Sequence, residues 1–256
     1  SHPEPAVTPA DPALAFVSAL LEEYGDEWGN KWMFHYRWRY QPDVWSTAAR
    51  IAQQMMGAQG TLAVAQARAA VAERMMGRLG FVGSNEKTQQ LIEASFRTAL
   101  GLIEAHLASR PYLLGGRPAM ADFGLWAQLY EAATDPTPGA IMRETAPNVM
   151  AWLQRMLSPR LEGEFEALSA LVPTLMPLLR EEVGALFLPW SKANAAAIAA
   201  GEKSFTLSLG GAEWTQEPQK YHARSLAEIR RKYVTAKDAL GLEAILRESG
   251  CLDFLS

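Results

Sequence analysis

Apolar side chains recur along most of the chain at the three- and four-residue spacing of amphipathic α-helices. Asp11 is a favourable N-cap residue and Pro12 is tolerated at the first helical position, so the first helix is predicted to begin there. The predicted core side of this helix carries Leu14, Val17, Leu21, Tyr24 and Trp28. The opposite side, predicted to face solvent, carries Glu22, Glu23, Asp26 and Glu27.

The same helical pattern can be carried forward into residues 31–40. These residues include five aromatic rings, one histidine and three cations. Gly25 and Gly29 each weaken a helix by about 1 kcal/mol relative to alanine, so they allow a bend before this stretch. At about 100° per residue, the side chains that fall on the core side are Trp32, His35, Tyr36 and Arg39. This density of rings and cations makes the stretch a candidate binding site.

The remaining pattern is also mainly helical. Further helices are predicted at residues 44–56, 61–79, 86–109, 120–134, 149–157, 218–237 and 240–248, with turns between them that include residues 135–139. Alternating apolar residues on either side of Gly210 and Gly211 predict one β-hairpin at residues 204–215 with a two-residue turn. No strand–helix–strand alternation occurs in the sequence, so the predicted fold class is all-α with this small hairpin.

Composition narrows the class of protein further. The chain has 256 residues, of which 49% are hydrophobic and 20% are charged, which is typical of a globular protein. Its formal net charge of −4 argues against a general nucleic-acid binder. No apolar run approaches the roughly 20 residues that span a bilayer, so no membrane partner is expected. A single cysteine, Cys251, excludes an intramolecular disulfide and a multi-cysteine zinc site, and we expect a cytoplasmic protein without a metal.

Two local motifs are the most specific features of the sequence. Residues 112–123 read Tyr-Leu-Leu-Gly-Gly-Arg-Pro-Ala-Met-Ala-Asp-Phe, and residues 146–156 read Ala-Pro-Asn-Val-Met-Ala-Trp-Leu-Gln-Arg-Met. In this order and spacing they resemble the carboxy-terminal helical domain of the glutathione S-transferase family. There a Gly-rich turn leads through an Ala-Asp segment into a buried central helix, and a Pro-Asn-Val-x-x-Trp-Leu helix follows. The resemblance implies a bundle around a central helix at residues 120–134.

Asp122 fits the capping role that this resemblance implies. An acid three residues after an N-cap residue accepts a hydrogen bond from the N-cap amide, and the helix dipole favours its negative charge. The family usually has serine or threonine at the cap, whereas this chain has Ala119. Asp122 is therefore predicted to be structural, at a helix start that lacks half of the capping box.

The resemblance also suggests how the chain is organised. Residues 1–10 are interpreted as the remnant of a linker, residues 11–157 as the helical domain, and residues 158–256 as a helical extension that packs with its hairpin on the same domain. Family members place a thioredoxin-like domain before the helical one, and that domain holds most contacts to glutathione and activates its thiol. The ten residues before the first predicted helix cannot hold such a domain. Either the amino half is missing, or this protein is a stand-alone helical relative.

Two classes of function follow. The first is a glutathione transferase whose helical domain supplies the pocket for an apolar electrophile, with glutathione as co-substrate and no other cofactor. This chain alone is then expected to be inactive and to bind glutathione weakly or not at all. The second is a non-catalytic module that binds a small apolar or aromatic ligand or a protein partner. A homodimer is compatible with both, since Met55–Met56 and Met75–Met76 are typical of core or dimer-interface residues.

The aromatic stretch gains a candidate role from the resemblance, because the first helices of the family's domain form one wall of the co-substrate pocket. Trp28, Trp32 and Tyr36 are predicted to supply apolar contacts there. His35 and Arg39 are predicted to meet an anionic or polar group. Pockets combine many apolar contacts with a few placed polar ones. The alternative is that the rings pack in the core and that backbone carbonyls or acids satisfy His35 and Arg39.

Overall fold

The structure is a computed structural model that describes residues 6–255, and the predicted all-α fold with one hairpin is confirmed. The first eight helices are α1 (Pro12–Tyr24), α2 (Asn30–Arg39), α3 (Gln41–Met56), α4 (Thr61–Met76), α5 (Gln89–Leu107), α6 (Met120–Ala133), α7 (Pro136–Thr145) and α8 (Pro147–Met156). They are followed by α9 (Leu168–Leu178), α10 (Leu188–Ala200), β1 (Phe205–Leu209), β2 (Ala212–Gln216), α11 (Lys220–Ala236) and α12 (Leu242–Glu248). Two π-helical segments, Gly25–Gly29 and Leu179–Phe187, and three 3₁₀ turns, Gly57–Gln59, Leu79–Val82 and Leu252–Phe254, complete the regular structure of the described residues.

Helix α1 begins where its capping residue predicts. The Asp11 side chain accepts a hydrogen bond from the Leu14 amide at 2.8 Å, and Pro12 occupies the first helical position. All five residues of the predicted core side are buried. A π-helical turn, Gly25–Gly29, then connects α1 to α2 without a break in the helix.

The π-helical turn corrects one sequence prediction. Glu27 was expected on the solvent side, yet it is only 2% exposed. A π-turn closes its hydrogen bonds over five residues instead of four, which changes the angles between neighbouring side chains locally, although Trp28, Trp32 and Tyr36 still lie in the core as predicted. In addition, α11 covers this part of the helix, because the carboxylate of Glu27 contacts the imidazole of His222.

The central helix α6 is held at its start by Asp122. Its Oδ2 accepts a hydrogen bond from the Ala119 amide at 2.8 Å, which is the predicted capping bond. Its Oδ1 accepts two more, from the Leu113 amide and from Trp152 Nε1, both at 2.9 Å. Asp122 therefore connects the Gly-rich turn and α8 to the start of α6. The bond from Trp152 of α8 is not part of the predicted capping role.

Residues 135–139 do not form the predicted turn. Pro136 instead opens the helix α7, with Asp135 immediately before it. Proline is favoured at the first helical position as well as in turns, so the same residue supported both interpretations. The Asp135 carboxylate is buried and accepts hydrogen bonds from Arg37, Thr47 and Arg50, which fixes α7 against α2 and α3.

The predicted hairpin is confirmed. Strand β1 pairs antiparallel with β2 in the register Phe205–Gln216 to Leu209–Ala212. Gly210 and Gly211 have positive φ angles of 55° and 80°, which a two-residue type I′ turn requires. The hairpin packs on the bundle through Trp214, which is fully buried.

One continuous hydrophobic core contains side chains from α1, α2 and α5 to α8, and also from α9 to the carboxyl end. The predicted boundary between residues 157 and 158 stays a prediction, and residues 1–5 of the predicted linker lie outside the described residues. The hairpin of α3 and α4 packs beside this core around a small second cluster of Trp38, Val44 and Ala48. Across residues 6–255, no helix is both long enough and apolar enough to cross a membrane.

Candidate functional site

The four residues singled out in the sequence lie on α2, and three of them are buried. Trp32, His35 and Tyr36 are 1%, 0% and 1% exposed, so none of them presents its side chain to a cleft in this structure. Arg39 is exposed and donates a hydrogen bond to Gln89 Oε1 at 2.9 Å. The predicted phase therefore holds for the first three residues and fails for Arg39 in the last turn. A ligand-binding role for the four stays a prediction.

His35 is satisfied by neighbouring side chains. Its Nδ1 lies 2.8 Å from Ser84 Oγ, and its Nε2 lies 3.2 Å from Glu93 Oε1. Burial lowers the pKa of His35, although Glu93 acts in the opposite direction. Glu93 also accepts a hydrogen bond from the Tyr40 hydroxyl. These contacts fix the end of α2 against α5.

A polar network lies in the middle of the core. The indole N–H groups of Trp28 and Trp32 both donate to Ser95 Oγ at 2.9 Å, and Ser95 donates to Glu182 Oε2 at 2.6 Å. A serine hydroxyl has one hydrogen to donate and two lone pairs to accept with, so Ser95 is fully used. The Tyr24 hydroxyl also donates to Glu182, at 3.1 Å. This network connects α1, α2 and α5 to the π-helical segment Leu179–Phe187.

Burial controls the charge of Glu182. The side chain is 1% exposed, and loss of hydration raises its pKa to about 8, although the bonds from Ser95 and Tyr24 act in the opposite direction. The acid is therefore mostly protonated at neutral pH. No feature of the sequence marked Glu182, because it follows Glu181 in an acidic pair that is typical of a solvent-exposed turn.

A cage of three tryptophan rings surrounds Lys31, which is 1% exposed. Its Nζ lies 3.6 Å from the ring centroid of Trp190 and 5.5 and 5.9 Å from those of Trp28 and Trp214. Within the described residues, Nζ has no hydrogen-bond partner. Burial lowers the pKa of the amine well below its usual value. Sequence reasoning missed this cage because two of its three rings lie more than 150 residues away along the chain.

Several grooves open at the surface of the bundle. One of them, which we call the entry groove, has a volume of about 350 Å³ and lies between α1, the start of α6 and α11. Its apolar lining includes Ala15, Phe16, Ala19 and Met120. Another, which we call the hairpin groove, has a volume of about 410 Å³ and lies between α3 and α4. Both volumes fall in the range of small-molecule pockets.

The rim of the entry groove is charged. Lys232 of α11 faces Glu22 of α1, and it partly offsets the rise that burial causes in the pKa of Glu22. Arg231 lies on the same rim and pairs with Glu228 at 2.6 Å. The groove thus combines an apolar floor with a few polar groups, which suits an apolar ligand that carries a polar substituent. Among residues 6–255, no group of three or more His, Cys, Asp or Glu side chains is placed to hold a metal ion.

The fold is thus an all-α bundle built around a capped and buried central helix, α6. Residues 58–155 match the family model described as glutathione S-transferase, C-terminal domain. The match contains residues 112–123 and all but the last residue of the motif at 146–156, and it supports a glutathione S-transferase C-terminal domain over this part of the chain. Neither a curated protein nor a solved structure gives a match.

Proposed function

We propose that this chain is the helical part of a glutathione S-transferase-like protein and that its entry groove receives the apolar co-substrate. The observation that carries the proposal is the position of the groove on α1. In the family, the first helices of the domain form a wall of the co-substrate pocket, and here α1, which precedes the matched residues 58–155, lines a groove of suitable size from Pro12 to Glu22. The proposal therefore moves the binding surface from α2, where the aromatic residues are buried, to α1.

The chemistry of the groove agrees with this role. Phe16 is 2% exposed, and its ring packs edge-to-face on Tyr233 with centroids 5.7 Å apart, so the floor is held rigidly. Ala15 and Ala19 leave room above that floor because their side chains are small. Conjugation forms a bond between the sulfur of a glutathione thiolate and an electrophilic carbon of the co-substrate, and the leaving group departs from that carbon with the electron pair of the bond that breaks. In this proposal the groove holds and orients the electrophile, and a thioredoxin-like domain forms the thiolate.

Filling the groove tests the proposal. In Ala15→Trp the indole should occupy the space above Phe16, and we expect at least tenfold weaker binding of 2,4-dinitrotoluene, an unreactive nitroaromatic, measured by calorimetry. Ala196→Trp adds the same side chain at an exposed position on α10 and serves as the matched control. Equal binding by both variants and the unmodified chain would show that the nitroaromatic does not occupy the entry groove.

A non-catalytic ligand-binding module remains the second candidate, and the hairpin groove favours it because that groove lies away from α1. Titration of this chain with glutathione tests both candidates against a third possibility, in which the helical domain has its own glutathione site. Both predict affinity weaker than about millimolar for this chain alone, since the family's peptide contacts lie in the thioredoxin-like domain. Micromolar binding would instead mean that the helical domain holds its own glutathione site.

A further inference from the structure

Trp45 is the most exposed tryptophan in the described part of the chain, and it stands at the hairpin groove. Its side chain is 56% exposed, whereas six of the other tryptophans are buried and Trp126 is half-buried. The indole N–H donates to Gln41 Oε1 one turn earlier on α3. This bond holds the ring in one orientation. An exposed and fixed aromatic ring is typical of a recognition surface rather than of a core.

Arg68 of α4 stacks on this ring. Its guanidinium carbon lies 4.0 Å from the ring centroid of Trp45, so the cation is held against the aromatic face. Within the described residues, Arg68 has no carboxylate in ion-pair distance and no hydrogen-bond acceptor. Arg37, Arg50, Arg155 and Arg180 are among the arginines that differ in this respect, since each of them pairs with an acid. The N–H donors along the edge of Arg68 are thus left for another group.

The floor of the groove is apolar and made of small side chains. Val44 and Ala48 of α3 and Ala65 and Ala69 of α4 line it, and these residues leave a space of about 410 Å³ between the two helices. Helix α4 supplies this surface without burying any of its own residues, although most of them are apolar. A helix with so much apolar surface is normally covered. Here any group that covers this apolar surface has to fit a narrow space that has the guanidinium of Arg68 at one side.

We propose that the hairpin groove binds a small planar organic anion, an aromatic carboxylate. The ring of the ligand would lie on the alanine floor beside Trp45, and its carboxylate would accept two parallel N–H bonds from Arg68. Charge complementarity carries this assignment, because a fixed guanidinium without an acid partner matches a carboxylate in shape and sign.

This site is separate from the entry groove and does not depend on the function proposed for it. The entry groove is lined by α1, α6 and α11, and the hairpin groove by α3 and α4. A variant that fills one should leave the other unchanged. The Ala15→Trp chain therefore tests independence, and we expect it to bind an aromatic carboxylate with unchanged affinity.

Calorimetric titration of the full chain with 2-naphthoate tests the proposal. We expect binding to 2-naphthoate and at least tenfold weaker binding to its neutral isostere 2-naphthamide. Arg68→Gln should weaken 2-naphthoate binding at least tenfold, and Arg68→Lys should give an intermediate loss because a lysine keeps the charge but not the planar fork. Arg74→Gln is the matched control, since Arg74 is an exposed cation on the same helix outside the groove. Circular dichroism should show the same helix content for all three variants.

Accessibility of Trp45 gives a second readout. Acrylamide should quench a fluorescence component that is missing in Trp45→Phe, and bound 2-naphthoate should protect that component. Equal affinities for the acid and the amide, or an unchanged affinity in Arg68→Gln, would overturn the proposal. So would a dimer in sedimentation in which Trp45 is protected without any ligand, because the groove would then be covered by a second copy of this chain.

Discussion

At the scale of single residues, the most consequential side chain is a buried acid that the structure keeps protonated. Glu182 accepts hydrogen bonds from Ser95 and Tyr24, and burial raises its pKa from 4.5 to about 8. Between these two values the folded chain holds a proton that the unfolded chain releases. The contribution of this group to the free energy of unfolding is therefore largest below about pH 4.5, falls as the pH rises toward 8, and is constant above that.

Glu182→Gln should remove this dependence, since the amide oxygen can still accept both hydrogen bonds. We expect the variant to be more stable than the original chain at pH 8.5 by on the order of 3 to 5 kcal/mol, with a difference that shrinks toward pH 5. Urea unfolding of both chains at several pH values measures it. Glu181→Gln is the matched control because Glu181 is the exposed neighbour. A difference that does not change with pH would show that Glu182 ionises normally.

The sequence predicted the roles of those residues whose contacts lie nearby in the chain. Asp11 and Asp122 both accept the capping bonds that their positions predict. It could not predict Lys31 or Glu182, whose surroundings come from helices far away in the chain. Burial of a charged residue depends on what covers it, and no local spacing reveals the cover.

At the scale of elements, the close crossing of α1 with α6 depends on two glycines. A Cβ added to Gly124 would lie 2.7 Å from the Glu22 carbonyl oxygen, and one added to Gly25 would lie 2.7 Å from the Gly124 carbonyl carbon. Both distances are shorter than contact allows, and both involve backbone atoms that cannot turn away. The sequence indicated only that Gly25 weakens a helix.

Gly124→Ala should therefore destabilise the bundle by about 1 to 3 kcal/mol, as overpacking does, despite the better helix propensity of alanine. Gly101→Ala is the matched control, because Gly101 lies within α5 and an added Cβ there would meet open space. We expect that control to gain about 0.5 to 1 kcal/mol. Thermal and urea unfolding of the two variants would give opposite signs. Stabilisation by both would mean that α1 and α6 can separate without loss.

At the scale of the whole molecule, the motifs predicted the bundle of residues 11–157 better than the part that follows. The helices α9 and α10 were not predicted, and α9 contains two prolines, Pro173 and Pro177, inside the helix. A proline inside a helix costs roughly 3 kcal/mol. Burial of Leu171, Leu175 and Leu178 against the core offsets that cost here. Tertiary packing of this kind is not visible in the local sequence.

The same packing predicts that the two parts of the chain form one folding unit. Trp28 of the first part is fully buried, and its ring lies 6.0 Å from that of Trp190 and 5.5 Å from that of Trp214. If the chain ends at residue 157, Tyr24 loses its hydrogen-bond acceptor, Glu182, and one of its two aromatic neighbours, Phe187, and keeps only Trp32. A truncated core would expose these rings and leave buried polar groups without partners.

We therefore expect the chain to unfold in urea in a single transition, with coincident curves for helix content by circular dichroism and for tryptophan fluorescence. A chain of residues 1–157 should lack a cooperative transition and a near-ultraviolet dichroism spectrum, because it loses much of the core that the full chain shares between its two parts. Two separate transitions in the full chain, with the second matching the unfolding of residues 1–157 alone, would contradict this expectation. They would show that residues 158–256 only cover a domain that is already stable without them.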